Sequence, residues 1–455
     1  MRFRMLAAGA TLCVVLAAAS ASAQSRSGDY LRDIQNAAIG KNESPVAHWG
    51  YDPTRYTLWG THSNRLIPVY AFGTRDAGEG IDLEHYMGAN SAYRSEKKLR
   101  DIYGYLPEAT VTPEAHYLDQ TDIYRMQQAA LGKKKHIILM VFDGMDWVTT
   151  RAAAIEAAQG VKYTEGRGRG LRFQEYTAGD TAQFGYMVTS PHNEGTKVNI
   201  NEQTVTNPGG TLRGGYNISK GGPNPWTPGD DPLYIISLPK DAPLRHAYTD
   251  SSSSAVSMTA GIKTYNNAVN VDPQGVPVET IAHAAQREGR SVGVVSSVPI
   301  SHATPAAAYA VNVHRDDFQD LTRDLLGLPS ISHAKALAGM DVVIGGGYGV
   351  LSRGNFIGSA TEPTDLTDSV KGQGKNFVPG NIYLTDADLA QVDASNGGPY
   401  QVAIRTKHES GRKVLQQATR EAIEQKRRLL GFFGVGRHNG HLPFATANGD
   451  FRPAL

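Results

Sequence analysis

The chain is predicted to be an α/β protein with a mostly parallel sheet and helices on both faces, on the strength of three segments. In "KKKHIILMVFDGMDWVTTRAAAIEAA" an uninterrupted apolar run, Ile137 to Phe142, has the character of a strand buried on both faces. Asp143-Gly144 breaks it, and a helical pattern begins at about Asp146. In "GRSVGVVSSVPISHATPAAAYAV" a strand over Ser291 to Ser296 is followed by Thr304-Pro305, read as an N-cap and first-turn proline. In "GMDVVIGGGYGV" a short strand runs into Gly345-Gly346-Gly347. Alternating units of this kind favour a parallel sheet, in which ligands bind at the carboxyl ends of the strands.

The remaining chain is assigned in order. Residues 1–23 read as a signal peptide: two arginines, an apolar run from Met5 to about Ala19, and Ala21-Ser22-Ala23 as a cleavage site. A membrane anchor is the alternative, disfavoured because the run is short and ends in a cleavable site. No later segment resembles a span, so no membrane association is expected after cleavage. Residues 24–131, rich in Tyr, Gly and Asn without strong periodicity, read as an N-terminal extension over a main domain at 132–455. Within that domain, about 185–241 is dense in Gly, Pro and Asn and reads as a surface insertion without a core of its own.

Composition narrows the function classes. A net charge of +1 and a charged fraction of 20% give no reason to expect a nucleic acid as the main partner. Lys133 to Lys135 read as a solvated approach to a strand, and the two arginines of "EGRGRGLRF" carry little weight for RNA contact. The only cysteine, Cys13, falls inside the leader. A mature chain without thiols has no disulfide, and any metal would be held by carboxylate, imidazole, hydroxyl or carbonyl groups.

The chemistry centres on "YTDSSSSAVSMTAGIKTYNNAVNVD", Tyr248 to Asp272. Serine runs are often linkers, but Ala255, Met258 and Ile262 recur at helical spacing, which places the serines at a helix start. There a Ser or Asp can simply cap the helix. Alternatively, one serine attacks phosphorus while the helix N-terminus stabilises the resulting anion. A serine hydroxyl needs a base or a metal to become a nucleophile, and no G-x-S-x-G elbow surrounds these serines.

Four motifs in order, "FDGM", "TDSSSSA" with "GIKTYN", "SHATPAAAYAVNVHR" and "DVVIGGG", resemble the alkaline phosphatase family from about Lys135 onward. The resemblance implies a three-layer α/β/α sandwich and a phosphate monoesterase assisted by Zn²⁺ and Mg²⁺. Ser251 falls at the position of the phosphoserine-forming nucleophile, Asp143 at a carboxylate bridging two metal ions, and Thr304 at a hydroxyl ligand of the magnesium site. Arg315 falls at the phosphate clamp, and Asp250 at the residue orienting it. Each has an ordinary reading too: a strand-end turn acid for Asp143, an N-cap for Thr304, a surface residue for Arg315. His302 stands where some members have Asp and others have His, which leaves the third metal open between zinc and magnesium.

The Glu, Asp and His ligands expected later in the family pattern do not follow in this sequence. It ends "GFFGVGRHNGHLPFATANGDFRPAL", in which His438 and His441 are poor substitutes, and the chain reads as incomplete at its C-terminus relative to the family. The expected function is hydrolysis of small-molecule phosphate monoesters by a periplasmic or secreted enzyme, with a homodimer as a family expectation. A phosphodiesterase or sulfatase on the same scaffold, or a non-catalytic phosphate-binding module, are the alternatives.

Overall fold

The computed structural model describes residues 64–227, 229–230, 234, 246–350, 372–404 and 409–434. The expected leader and His438 and His441 lie outside the described residues.

The chain enters through β1 (Leu66–Ala71), α1 (Glu96–Tyr103), β2 (Leu118–Asp119) and α2 (Thr121–Leu131). After α3 (Trp147–Ala158), β3 (Gln183–Val188) joins a three-stranded sheet in the order β1-β3-β2, antiparallel to β1 and parallel to β2. Next come α4 (Ser251–Ala260), α5 (Ile281–Arg287), β4 (Gly293–Pro299), the single turn α6 (Ala303–Ala306), α7 (Phe318–Leu326) and β5 (Val342–Gly346). The last elements are α8 (Asp386–Val392), β6 (Tyr400–Ala403), α9 (Gly411–Gln425) and β7 (Arg428–Phe432).

Strands β6-β7-β5-β4 form a second sheet in that order, and every pairing in it is parallel. Its inner strands are short and apolar, as burial on both faces requires. Val343 and Leu430 are fully buried in one cluster with Leu321, Leu325, Ala306 and Val256, so the strands, α4, α6 and α7 share one core. Gly345 allows a close approach: a Cβ there would meet the Val298 carbonyl oxygen at 2.9 Å. The α/β reading with a parallel sheet is therefore realised.

Ile137 to Phe142 differs from expectation. It belongs to no strand or ladder, and Ile138, Met140 and Phe142 are 81%, 67% and 56% exposed. It is anchored beside β4 at both ends: Arg290, just before β4, donates to the carbonyls of Leu131 and Lys134, while Asp143 receives Thr304, just after it. An apolar run signals a need for burial, but a ladder also needs a partner edge in register. β4 is the outermost strand of its sheet among the described residues, and its Val295 is 72% exposed.

The Gly/Pro-rich stretch also departs from expectation. Its start falls inside β3, and its Tyr216 and Tyr234 are buried in an aromatic cluster with Tyr93, Tyr103 and Tyr117. Aromatic rings bury large areas from few residues, so a low apolar count hid a real packing contribution.

Beneath this cluster lies a buried ion pair. Lys263 Nζ is 3.0 Å from Asp119 Oδ2, with both side chains fully buried. The Tyr93 hydroxyl donates to the same carboxylate oxygen at 2.7 Å, and the Lys263 ammonium lies over the Tyr103 ring. Burial lowers the Lys263 pKa, and Asp119 opposes that shift. The pair bolts the exit of α4 to β2. Removing one partner strands the other charge, so Lys263→Met is expected to cost about 3–5 kcal/mol. Chemical denaturation checks this, and Asp119→Asn added to Lys263→Met should recover much of the loss.

Candidate active site

The four serines are sorted by their partners. Asp250 is the N-cap of α4, and its Oδ1 accepts from the Ser253 amide at 2.9 Å and the Ser253 hydroxyl at 2.8 Å. The Ser252 hydroxyl donates to Asp250 Oδ2 at 2.8 Å, and Ser254 Oγ accepts from Gln120 at 2.6 Å. Ser252 and Ser253 are buried. Ser251, half-buried at the first helical position, instead directs its hydroxyl at Asp143 Oδ1, 3.3 Å away. At that position the first amides of the helix have no acceptor within the helix. The far end of α4 closes on Gly261 in the left-handed conformation (φ 72°), where a Cβ would collide with the Tyr124 ring.

Asp143 gathers two hydroxyls. Thr304 Oγ1 donates to its Oδ2 at 3.3 Å, so the two carboxylate oxygens face Ser251 and Thr304 separately. The N-cap expectation for Thr304 is corrected: His302 occupies the cap of α6, without a side-chain capping bond, and Thr304 lies inside the turn. The His302 ring stacks on Phe318. Burial lowers its pKa to about 4, the nearby Arg315 adds to this and Asp143 opposes it, so the imidazole is neutral at neutral pH.

Asp250 also binds Arg315. Arg315 Nη1 is 3.1 Å from Asp250 Oδ2, which accepts the Asn267 amide at 3.1 Å as well. Burial alone would raise the Asp250 carboxyl, but Arg315 and the bonds from Ser253 and Ser252 hold it below its ordinary value. The arginine backbone is fixed by the same turn, its amide donating to the Asn267 carbonyl at 2.8 Å. Asn266 receives the Asp250 amide and donates to the Tyr248 carbonyl, which fixes the entry to the helix.

The expected residues therefore form two linked groups: Ser251, Asp143 and Thr304 in one, Asp250 and Arg315 in the other, with His302 electrostatically coupled to both Arg315 and Asp143. Asn267 has a positive φ (78°), the backbone state that an Asn-Asn turn favours. Among the described residues, no three or more His, Cys, Asp or Glu side chains are grouped to hold a metal ion.

The loop after Arg315 is tied down by Asp317, a fully buried carboxylate that accepts from Asn312 at 2.8 Å and from the Gly374 amide at 2.9 Å. Burial, reinforced by Asp320, raises its pKa to about 6. The folded state thus holds this proton more tightly than the unfolded chain does. Its contribution to stability is complete below the ordinary Asp range and is lost as pH rises through about 6. Thermal denaturation between pH 4 and 7 should show a falling component on the order of 3 kcal/mol, which Asp317→Asn should flatten.

Parts of the chain are similar to known proteins. Residues 220–433 match the family model for alkaline phosphatase, a stretch that contains Ser251, His302, Thr304 and Arg315 but not Asp143. Alkaline phosphatase 4 of Bacillus subtilis is 31% identical over 149 residues, covering 33% of this chain and 27% of that protein. Alkaline phosphatase 3 of the same organism is 37% identical over 99 residues, 22% of this chain and 21% of that protein. Each match thus spans about a quarter of the relative's length. Among solved structures, a histidine-to-glutamate variant of TAB5 alkaline phosphatase, with Mg bound in its M3 site, aligns over 41% of this chain and 38% of that chain. The alignment is 21% identical with a TM-score of 0.24, too low for overall shape to carry weight. Residues 220–433 are thus similar to the alkaline phosphatase family.

Proposed function

We propose that the chain hydrolyses small-molecule phosphate monoesters through a phosphoserine at Ser251. The observation that carries this reading is the sorting of the serines: Ser252, Ser253 and Ser254 are engaged in holding the helix, while Ser251 alone of the four meets Asp143.

The residues define the steps. The Ser251 hydroxyl directs its proton at Asp143 while Oγ attacks phosphorus in line with the departing alcohol. Arg315, held by Asp250, is placed to pair two phosphoryl oxygens through its planar fork. The alcohol leaves with a proton from solvent, and the phosphate is carried on Ser251 at the positive end of α4. Water entering from the vacated side releases inorganic phosphate and leaves one of its protons on Ser251 Oγ, and the proton taken up by Asp143 returns to solvent.

Metal fit differs between the two ions. Asp143 and Thr304 present a carboxylate and a hydroxyl, the hard oxygen set Mg²⁺ prefers with its remaining positions filled by water, and neutral His302 stands near them. Mg²⁺ held there would neutralise charge developing on the phosphoryl group. A catalytic zinc site needs three protein ligands gathered together, and the described residues do not group them, so no step is derived through zinc.

The broader expectations belong to the same proposal: a three-layer sandwich around the parallel sheet, export directed by residues 1–23, and a homodimer. No described helix is long and apolar enough to cross a membrane.

The test uses the full chain with Mg²⁺ and Zn²⁺ supplied and an aryl phosphate at alkaline pH. Ser251→Ala is expected to abolish turnover, and acid quenching should trap phosphate on Ser251 in the unaltered chain. Phosphate binding without turnover or trapping would sink the catalytic reading. Arg315→Ala should raise KM and weaken inhibition by inorganic phosphate by about 10- to 100-fold, the loss of a charge-assisted hydrogen-bonded pair. Unchanged values would remove the clamp.

A further inference from the structure

A cavity of about 1070 Å³ opens beside Ser251, and nothing in the proposed chemistry uses it. Ser251, Asp143 and Thr304 line it together with Ile67 and Val69 of β1, Met126 of α2, Met187 of β3, Met258 of α4 and the exposed segment 137–142. Five of the chain's nine methionines line it. A phosphate is small and fully polar, so such a space contributes nothing to holding it. The volume lies just above the range of about 300–1000 Å³ usual for small-molecule sites. Methionine is unbranched and polarizable, and its surfaces adapt to apolar ligands of variable shape.

We infer that this cavity receives the leaving alcohol of the substrate, and that the preferred substrates are phosphate monoesters of large apolar alcohols, long alkyl chains above all. The inference rests on the assignment of Ser251 as nucleophile, because the shared lining is what couples cavity to phosphate. With the phosphoryl group at Ser251, an alkyl chain on the ester oxygen continues into the Met-lined space and leaves water. Each fully buried methylene is then worth roughly fourfold in affinity.

Alkylphosphonates test this independently of turnover, since their P–C bond is not hydrolysed. Binding of methyl-, butyl- and octylphosphonate to the full chain would be measured by calorimetry below the concentration at which the octyl compound aggregates. Octylphosphonate is expected to bind at least about a hundredfold more tightly than methylphosphonate, and inorganic phosphate should displace it. Met140 is exposed on the cavity wall, so Met140→Glu should fold normally by circular dichroism yet shrink that ratio to within about tenfold, because a charge in the wall opposes burial of the chain.

Equal affinities across the series would overturn the cavity assignment while leaving the Ser251 reading in place. A ratio unaltered in Met140→Glu would overturn it too. Octanol binding as tightly as octylphosphonate would show that the cavity is uncoupled from the serine. Failure of every phosphonate and of inorganic phosphate to bind would overturn this inference and the proposed function together.

Discussion

The site depends on one carboxylate. Asp250 caps α4, takes the hydroxyls of Ser252 and Ser253, accepts the Asn267 amide and pairs with Arg315. Five hydrogen bonds to one buried anion offset the cost of burying it, and they fix relative positions that no single bond would hold. The capping role and the clamp-orienting role were posed as separate readings of a helix-start acid. They coincide because a carboxylate has two oxygens: Oδ1 serves the helix end, and Oδ2 faces outward to Ser252, Asn267 and Arg315.

The helix so capped is held at its other end by a different device. Gly261 turns the chain, and two residues later Lys263 is buried against Asp119, with Tyr93 completing the carboxylate's hydrogen bonding. A motif lysine in an otherwise apolar neighbourhood thereby ties the serine helix to the N-terminal part of the chain. Asp119 and Tyr93 both come from the segment read as an extension, so that segment contributes directly to the anchoring of α4.

Much of the parallel sheet was legible because its strands announce themselves by composition. Val342–Gly346 is β-branched, bounded by glycines and buried, as its residues imply. Ile137–Phe142 is as apolar, yet it lies exposed beside β4 without a ladder. Local pattern reports whether a segment would gain from burial and says nothing of whether a partner edge is presented in register. The Tyr-rich cluster was missed for the converse reason: Tyr93, Tyr103, Tyr117 and Tyr216 are scattered over more than a hundred residues without periodicity, and only folding brings them together.

By itself the sequence determined that a helix starts at the serines, that an acid ends an apolar run at Asp143, and that an arginine follows the "SHAT" segment at Arg315, all consequences of residue type and spacing within a few turns of chain. Tertiary structure alone decided that Ser251 is the serine turned to Asp143, that Asp250 reaches Arg315, that Thr304 serves Asp143 instead of capping a helix, and that a large apolar cavity borders the serine. The physical reason is range. Propensity and capping act between neighbours along the chain, whereas a hydrogen bond joining residue 143 to 251 and 304 depends on where whole elements come to rest.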